Sequence, residues 1–308
     1  MELDPLSDAL ALIRARCSIT GGFAAGGDWA MRFRPESALK VDAIVRGQCW
    51  VLVDGEQPIL LSEGEVVIFN RVGSFVLCSD LSTPVVEATD VFDTGAFAWA
   101  QIGAGEEVIC MGGHVDMDRG GEELLLSVLP RVTRVSDSSA DGAAVFDLVR
   151  QLLGEARALR PGAAFARAQY AQLLLVHVLR LLLERGDIAQ PGWLNVLGDT
   201  ALSPALALMH GDPARSWGLD ELAQVAAMSR STFATRFKTA AGQPPVAYLT
   251  RWRIRLAERA LRETDATVAA VATDVGYGTE SSFSHAFQRI TGITPGRYRR
   301  QVESRPAV

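Results

Sequence analysis

The sequence predicts an α+β protein, with an N-terminal antiparallel β-barrel, a helical segment after it, and a C-terminal all-α region. Three observations support this fold class. Residues 28–118 contain short apolar runs separated by turn residues, a pattern typical of antiparallel strands. From about Gly142 the apolar residues adopt helical spacing. The last third of the chain contains an internal repeat with helical character.

Length and composition exclude several classes of protein. The 308 residues leave room for two domains. Four cysteines without a Cys-x-x-Cys pair exclude a disulfide scaffold and a cysteine-rich zinc module. The most apolar stretch, Leu173–Leu183, is interrupted by His177 and Arg180, which argues against a membrane span. The acidic N-terminus is unlike a secretory leader. We therefore expect a cytoplasmic protein without a membrane partner.

Charge is distributed unevenly along the chain. Residues 200–308 contain 14 Lys and Arg against 9 Asp and Glu, a net charge of +5. The remainder carries a net charge of −11, which gives −6 in total. A basic C-terminal third on an acidic body is typical of a segment that meets a polyanion such as DNA.

The strand pattern defines the barrel, which we place at about residues 20–120. Val41, Ala43 and Val45 alternate with Asp42, Ile44 and Arg46, as in a half-buried strand. Helices follow over about residues 142–186. A Pro191-Gly192 break predicts a boundary between a domain of residues 1–190 and a domain of residues 191–308.

The repeat is the most informative feature of the C-terminal domain. A group of five residues recurs at an offset of 50: Phe233, Phe237, Gly242, Pro245 and Tyr248 return as Phe283, Phe287, Gly292, Pro295 and Tyr298. Upstream, Leu222, Ala223 and Ala226 return at an offset of 49 as Val271, Ala272 and Val275. One additional residue therefore lies in the second copy, near Gly276–Gly278.

Each copy predicts a helix-turn-helix unit. In the first, a helix at Leu222–Ala227 precedes a helix at Arg230–Ala241, with Ser229 as its N-cap. In the second, the helices are Val268–Val275 and about Glu280–Ile290, capped by Thr279 or Ser281. A small residue in each first helix, Ala223 or Ala272, permits close crossing. A helix over Val246–Glu263, with a basic stripe at Arg251, Arg255, Arg259 and Arg262, connects the copies.

These residues resemble the AraC/XylS family of bacterial transcription regulators. The resemblance is carried by LDELAQVAAMSRSTFATRFKTAAGQPPVAYLTRWRIRLAERAL and VAAVATDVGYGTESSFSHAFQRITGITPGRYRR, over about Leu219–Arg300. The N-terminal region is similar to the subgroup with a cupin-like sensor barrel, through Gly26-Gly27-Asp28-Trp29, Val45-Arg46-Gly47-Gln48 and Gly64-Glu65-Val66-Val67. Some members of that subgroup resemble an activator that senses reactive chlorine through cysteines. The resemblance implies a non-enzymatic regulator, an activator in particular, with promoter DNA and RNA polymerase as partners.

The resemblance also assigns DNA-contacting positions by motif. The base-reading positions are Ser231, Ala234 and Thr235 in the first copy, and Glu280, Ser281, Ser282 and His285 in the second. Arg230, Lys238 and Arg251 are expected to meet phosphates. Many members carry arginine where this chain has Thr235, which removes a bidentate guanine contact.

A cupin-like barrel raises the alternative of a metal enzyme fused to a DNA-binding tail. Asn70 stands where cupins usually have proline, and Phe75 where the metal histidine usually lies. Of four histidines, only His114 falls in the barrel. We therefore expect no metal, no other cofactor and no catalytic residues. A constitutive architectural DNA binder is a further alternative.

Two sensing mechanisms remain open from the sequence. All four cysteines, Cys17, Cys49, Cys78 and Cys110, precede residue 111. We expect Cys49 and Cys78 to be the pair able to form a disulfide, and Cys17 and Cys110 to be the exposed sensors, with nearby Arg14 and Arg16 favouring the Cys17 thiolate. The competing hypothesis places a small organic effector in the barrel against Trp29, Trp50 and Phe75. Glycines 21–22, 26–27 and 112–113 are interpreted as turns.

The long helix at Phe165–Leu183 predicts a homodimer. Leu173, Leu174, Val176, Val178, Leu181 and Leu182 lie on more than one face, so one helix cannot direct all of them to a single core. One face would pack on the barrel and another on a partner chain. The alternative is a helix covered on both sides within one chain.

Overall fold

The computed structural model describes residues 4–92, 97–136, 140–158, 160–186, 188 and 190–303. Its contacts divide the chain into two units. Residues 14–190 form the barrel unit. Residues from 191 onward form a second unit together with the N-terminal helix, which we call the DNA-binding unit after the role that its repeat predicts. None of the described helices is long and apolar enough to cross a lipid bilayer.

The barrel unit consists of strands followed by two long helices. The strands are β1 (Arg16–Ala25), β2 (Ala30–Phe33), β3 (Leu39–Arg46), β4 (Gln48–Leu52), β5 (Ile59–Ser62), β6 (Val66–Asn70), β7 (Phe75–Cys78), β8 (Val86–Glu87), β9 (Ala98–Ile102), β10 (Val108–Asp116) and β11 (Val132–Val135). The helices are α2 (Arg119–Gly121), α3 (Ala140–Ala158) and α4 (Ala163–Arg185). Helical turns lie at Ala88–Asp90 and Glu122–Leu126.

The described strands form two sheets that face each other. One sheet has the order β11-β6-β3-β10-β1-β9, and the other has the order β5-β4-β7-β2-β8. Apolar side chains from both sheets share one core, which includes Phe23, Ile44, Cys49, Phe75 and Cys110. Helices α3 and α4 pack together, and α4 also packs on β1. The first sheet is therefore covered on both faces.

This cover explains a difference from the predicted burial of β3. Alternation predicts that Asp42 and Ile44 lie on a solvated face, but both are buried. Ile44 belongs to the core between the sheets. Val41, on the other face, lines a small apolar void with Leu174 and Val178 of α4. A strand covered on both faces has no solvated side, so its apolar pattern is not a strict alternation.

The DNA-binding unit is all-α. Its helices are α1 (Pro5–Ile13), α5 (Trp193–Gly198), α6 (Ser203–Gly211), α7 (Leu219–Val225), α8 (Arg230–Ala241), α9 (Pro245–Glu263), α10 (Val268–Asp274), α11 (Glu280–Thr291) and α12 (Pro295–Glu303). Helix α1 packs against α6 and α9. The sequence places residues 1–13 with the barrel, whereas their contacts place α1 with the DNA-binding unit. The apolar face of α1, with Ala9, Leu12 and Ile13 buried, accounts for this placement.

Each copy of the repeat forms the predicted helix-turn-helix. Ser229 caps α8 by accepting a hydrogen bond from the Thr232 amide, at 3.2 Å. Thr279 caps α11 in the same way, through the Ser282 amide. Phe233, Phe237, Phe283 and Phe287 are fully buried.

The additional residue of the second copy can now be located. In the first turn the Met228 amide donates to the Ala223 carbonyl, and in the second the Tyr277 amide donates to the Ala272 carbonyl. The two donors are 49 residues apart, and so are the two acceptors. The N-caps Ser229 and Thr279 are offset by 50. Gly278, between Tyr277 and Thr279, is therefore the inserted residue.

Candidate nucleic-acid interface and sensor cavity

Helix α8 presents the residues that the sequence assigns to the first DNA contact. Ser231 and Thr235 are exposed one helical turn apart, and Ala234 beside them is half-buried. Arg230 and Lys238 are exposed on the same helix. Because Phe233 and Phe237 anchor the opposite face in the core, the outer face of α8 is the one available to a groove.

Helix α11 presents the second set. Glu280, Ser281, Ser282 and His285 are all exposed. The Ser282 hydroxyl, however, donates to the Thr279 carbonyl at 2.9 Å and accepts from the Thr279 hydroxyl at 3.0 Å. Ser282 is thus part of the helix cap as well as of the outer face. No capping hydrogen bond of this kind is described for the exposed side chains of Glu280, Ser281 and His285.

Several arginines have structural partners that sequence reasoning missed. Arg236 of α8 makes two hydrogen bonds, of 2.7 and 2.9 Å, to the Asp199 carboxylate. In the predicted basic stripe, Arg255 pairs with Glu258 at 2.7 Å, and both side chains are largely buried. Arg251 is exposed. The stripe is therefore not a continuous surface for phosphates, and Arg251 is its most accessible member.

Arg253 ties the connecting helix to both helix-turn-helix units. Its guanidinium donates to the Pro213 carbonyl at 2.6 Å and to the Arg215 carbonyl at 2.9 Å, just before α7. It also lies 3.4 Å from the Gly276 carbonyl in the second turn. One side chain of α9 thus binds the backbone just before α7 and the turn between α10 and α11. The sequence pattern of α9 did not single out Arg253 for this role.

The barrel contains a cavity of about 360 Å³. Its apolar lining includes Phe23, Phe33, Leu77 and Phe92, and Cys110 lies among them. Lys40 and Asp42 of β3 provide an ion pair in the wall. Burial raises the pKa of the Asp42 carboxyl, and the adjacent Lys40 ammonium opposes this rise.

The aromatic residues expected to surround an effector lie elsewhere. Trp29 and Phe75 belong to the core between the sheets and are not among the residues that line the cavity. Phe75 stacks on Phe33, with ring centroids 5.2 Å apart, and Trp29 meets Phe23 edge-on at 5.1 Å. Trp50 packs on the opposite face of its sheet. The effector was expected in the barrel, where this cavity lies, but the three aromatic residues expected around it do not line the cavity.

The glycines interpreted as turns include residues of two paired strands. Gly21 of β1 lies opposite Gly112 of β10, and Gly22 opposite Met111. A Cβ atom added at Gly112 would lie 2.5 Å from both Asp42 Oδ1 and Lys40 Nζ. Gly27, by contrast, has φ of 73° and lies in the turn after β1. Gly112 therefore lies in a strand beside the ion pair and not in a turn, and a larger residue there would displace one of the two charged side chains.

All four cysteines are buried, including the two expected to be exposed. Burial raises the pKa of Cys17 and of Cys49 to about 12. It raises the pKa of Cys78 and of Cys110 as well. The arginines near Cys17 in sequence do not determine its chemistry, because that thiol lies in an apolar void under α4. The expectation that Cys17 and Cys110 are exposed is wrong, and their role as sensors stays a prediction.

The expected pairing of Cys49 with Cys78 also differs from the structure. Cys78 lies directly opposite Trp50 in the β4–β7 ladder. Neighbouring residues of a strand point to opposite faces, so Cys49 points away from the side that Cys78 shares with Trp50. Cys49 and Cys110 instead occupy the same core between the sheets.

In the described ranges, no three His, Cys, Asp or Glu side chains lie close enough together to hold a metal ion. His114 Nε2 lies 3.0 Å from Asp116 Oδ2 near the end of β10. The Asn70 amide donates to the Leu126 and Leu129 carbonyls, both at 2.8 Å, and so fastens the chain after α2.

Comparisons with known proteins agree with this architecture. A family model described as cupin matches residues 4–184, and one described as helix-turn-helix domain matches residues 222–301. An AraC-like transcription regulator of Streptomyces lividans is 43% identical over 300 residues, which cover 97% of this chain and 98% of that protein.

Two further relatives cover only part of the chain. The RCS-specific HTH-type transcriptional activator RclR of Escherichia coli is 38% identical over 109 residues, covering 35% of this chain and 38% of that protein. The solved DNA-binding domain of AdpA, in complex with a target DNA, is 29% identical, covers 33% of this chain and 92% of that chain, and has a TM-score of 0.32. On the full-length match and the two domain matches, the chain belongs to the family of AraC-like transcription regulators, with an N-terminal cupin domain and a C-terminal helix-turn-helix domain.

Proposed function

We propose that this regulator binds specific promoter sequences through α8 and α11, and that its barrel responds to a small organic effector. The exposed faces of both second helices support the DNA contact. The cavity of about 360 Å³ in the barrel is the observation that carries the effector hypothesis. Promoter DNA of a bacterial cell lies in the cytoplasm, where the chain would act, with RNA polymerase as the partner of an activator.

The connecting helix supports reading of two groove segments by one chain. Helix α9 has 19 residues, which correspond to a length of about 28 Å. Successive major-groove segments on one face of DNA are about 34 Å apart. A continuous helix of this length, fixed by Arg253, suits two recognition helices placed roughly one DNA turn apart. Each half-site is then asymmetric, because the two helices differ in sequence.

The burial of the thiols makes cysteine oxidation a weaker hypothesis for the signal than effector binding. The thiolate is the form that attacks an oxidant, and burial raises the pKa of all four cysteines. A cavity with both apolar walls and an ion pair is typical of small-molecule sites. The same cavity argues against a purely architectural DNA binder.

A homodimer through α4 is part of the proposal. Most apolar residues of α4 are buried within the barrel unit, including Leu174, Val178 and Leu181. Phe165 and Leu173 are 73% and 49% exposed on the same helix. This smaller apolar strip is the surface we assign to a second copy. Sedimentation of the parent and of Phe165→Glu/Leu173→Glu tests it, with a dimer expected only for the parent.

DNase footprinting tests the DNA contact on the region upstream of the chain's own coding sequence. We expect protection of two adjacent major-groove segments by the parent. Lys238→Glu should abolish it, because the new carboxylate repels phosphate. Arg46→Glu makes the same charge change at an exposed position of the barrel unit and should leave protection intact. Protection of a single groove segment, or equal loss in both variants, contradicts the proposal.

A further inference from the structure

The size of the barrel cavity sets the size of its ligand. An apolar cavity of about 150 Å³ accommodates benzene. The cavity here, at about 360 Å³, is more than twice as large. By the same ratio it holds a compact molecule of roughly ten to fifteen non-hydrogen atoms.

The walls favour a flat apolar body. Phe23, Phe33 and Phe92 line the cavity and contact one another, with ring centroids 5.9–6.5 Å apart. Leu77 and Ala98 complete the apolar lining near them. Aromatic rings pack best on other rings in offset-stacked or edge-on arrangements. The three phenylalanine rings in the lining therefore suit an aromatic ligand.

The ion pair sets the charge of the ligand. The Lys40 and Asp42 side chains are only 15% and 4% exposed, and Lys40 Nζ donates to Asp42 Oδ1. The pair is neutral as a whole, and in the described hydrogen bonds Asp42 is the one protein acceptor of Lys40. A charged ligand beside this pair would add one net charge among the largely buried side chains of Lys40 and Asp42, which is costly. An uncharged ligand leaves the balance unchanged.

A hydroxyl group is the head that fits both members of the pair. It accepts a hydrogen bond from an ammonium and donates one to a carboxylate. Gly112 leaves the polar atoms of both side chains uncovered, since a Cβ there would lie 2.5 Å from each. The remaining charged residue of the lining, Arg34, already donates to Glu87 at 3.2 Å and is exposed.

We infer that the cavity binds an uncharged aromatic molecule carrying one hydroxyl group, which bridges Lys40 and Asp42 while its rings pack on Phe23, Phe33 and Phe92. This inference rests on the proposed function, because it names the effector class of the proposed sensor. The specificity comes from the ion pair and the affinity from the rings.

Calorimetry on the full chain with three probes of one shape tests the inference. The probes are 2-naphthol, naphthalene and 2-naphthoate. We expect 2-naphthol to bind the parent at least tenfold more tightly than either of the others. Equal binding of naphthalene, tighter binding of naphthoate, or no binding of any probe overturns the inference.

Variants of the ion pair sharpen the test. Asp42→Asn leaves Lys40 as an unpaired cation, so preference should move from 2-naphthol to 2-naphthoate. Lys40→Met/Asp42→Leu removes both charges and should bind 2-naphthol and naphthalene equally; it keeps the test valid if Asp42→Asn does not fold, because an apolar replacement of a buried pair is tolerated. Trp50→Phe, on the other face of its sheet, should bind as the parent does.

DNA binding by the same preparation separates the two hypotheses. A parent that binds 2-naphthol selectively but protects no promoter DNA contradicts the proposed function and leaves the ligand class standing. A parent that protects DNA but shows no preference among the probes contradicts the ligand class alone.

Discussion

His210 lies flat against Trp252, with ring centroids 3.6 Å apart and 1° between the ring planes. Its Nε2 atom is 2.7 Å from the Tyr248 hydroxyl. All three side chains are buried in the DNA-binding unit. The contact joins α6 to the connecting helix α9, and burial there disfavours the protonated form of His210.

This relationship predicts a loss of stability in mild acid. Burial lowers the pKa of His210 from 6.5 to about 3. Between these pH values the His210 side chain binds a proton in the unfolded chain but not in the folded chain. The contribution of His210 to stability is therefore complete above pH 6.5 and falls as the pH falls toward 3. The loss attributable to His210 approaches about 1.4 kcal/mol per pH unit.

Urea unfolding of the parent and of His210→Phe between pH 7.5 and 5 measures this dependence. The phenylalanine keeps the stacked ring and cannot take up a proton, so the variant should lose less stability than the parent over this range. Identical pH dependence in the two proteins contradicts the prediction.

The ion pair between Arg236 and Asp199 predicts a second effect on stability. Asp199 also accepts from the Ala201 amide, at 3.0 Å, ahead of α6. Asp199→Ala should therefore destabilise the DNA-binding unit by about 1–3 kcal/mol, because it removes several hydrogen bonds at once. Asp220→Ala removes only the exposed pair with Arg230, at 3.2 Å, and should cost less than about 1 kcal/mol. Thermal unfolding compares them; equal losses contradict this ranking.

The two turns of the repeat predict opposite responses to substitution. Ala227 and Gly276 both have positive φ, 52° and 84°. Ala227→Gly should be neutral or stabilising, because glycine adopts this conformation without a steric penalty. Gly276→Ala should destabilise by more than about 1 kcal/mol, because its Cβ would lie 2.3 Å from the Ala214 carbonyl oxygen. Melting temperatures that move in the same direction for both variants contradict the assignment.

Helix boundaries of the DNA-binding unit were predictable from the sequence because their signals are local. The N-caps Ser229 and Thr279 lie within one turn of the helices that they start. The buried phenylalanines repeat at a fixed offset, so each copy supported the other. The position of the inserted residue, Gly278, could be assigned once the backbone hydrogen bonds of the two turns were known.

The barrel site was less predictable because it depends on strand pairing. Lys40 and Asp42 are two residues apart, the spacing that places them on one face of a strand, but the pattern did not reveal that α4 covers the other face. Gly112 acquires its role only when β10 lies beside β3. Burial of Cys17 likewise depends on α4, which is far along the chain.

DNA-contacting residues predict two kinds of loss. Ser231→Ala and Thr235→Ala should alter sequence preference with a small change in affinity for unrelated DNA, since these side chains occupy the outer face of α8. Arg251→Ala should weaken binding to all sequences and reduce the salt slope by about 1. Binding to a randomised half-site library at two salt concentrations measures both. An altered preference in Arg251→Ala contradicts its role as a phosphate contact.

The last prediction concerns the buried thiols. For Cys17 and Cys49 a pKa of about 12 instead of 9.0 lowers the thiolate fraction roughly a thousandfold at pH 8. The native chain should therefore react with 5,5′-dithiobis(2-nitrobenzoate) far more slowly than the chain in urea, where all four thiols are exposed. In cells, replacing all four cysteines with alanine should leave the response of the promoter to oxidant unchanged, provided that the variant retains parental DNA binding. Rapid reaction of a native thiol, together with loss of the oxidant response in that variant, would restore the redox hypothesis, because sensing by oxidation requires an accessible thiolate.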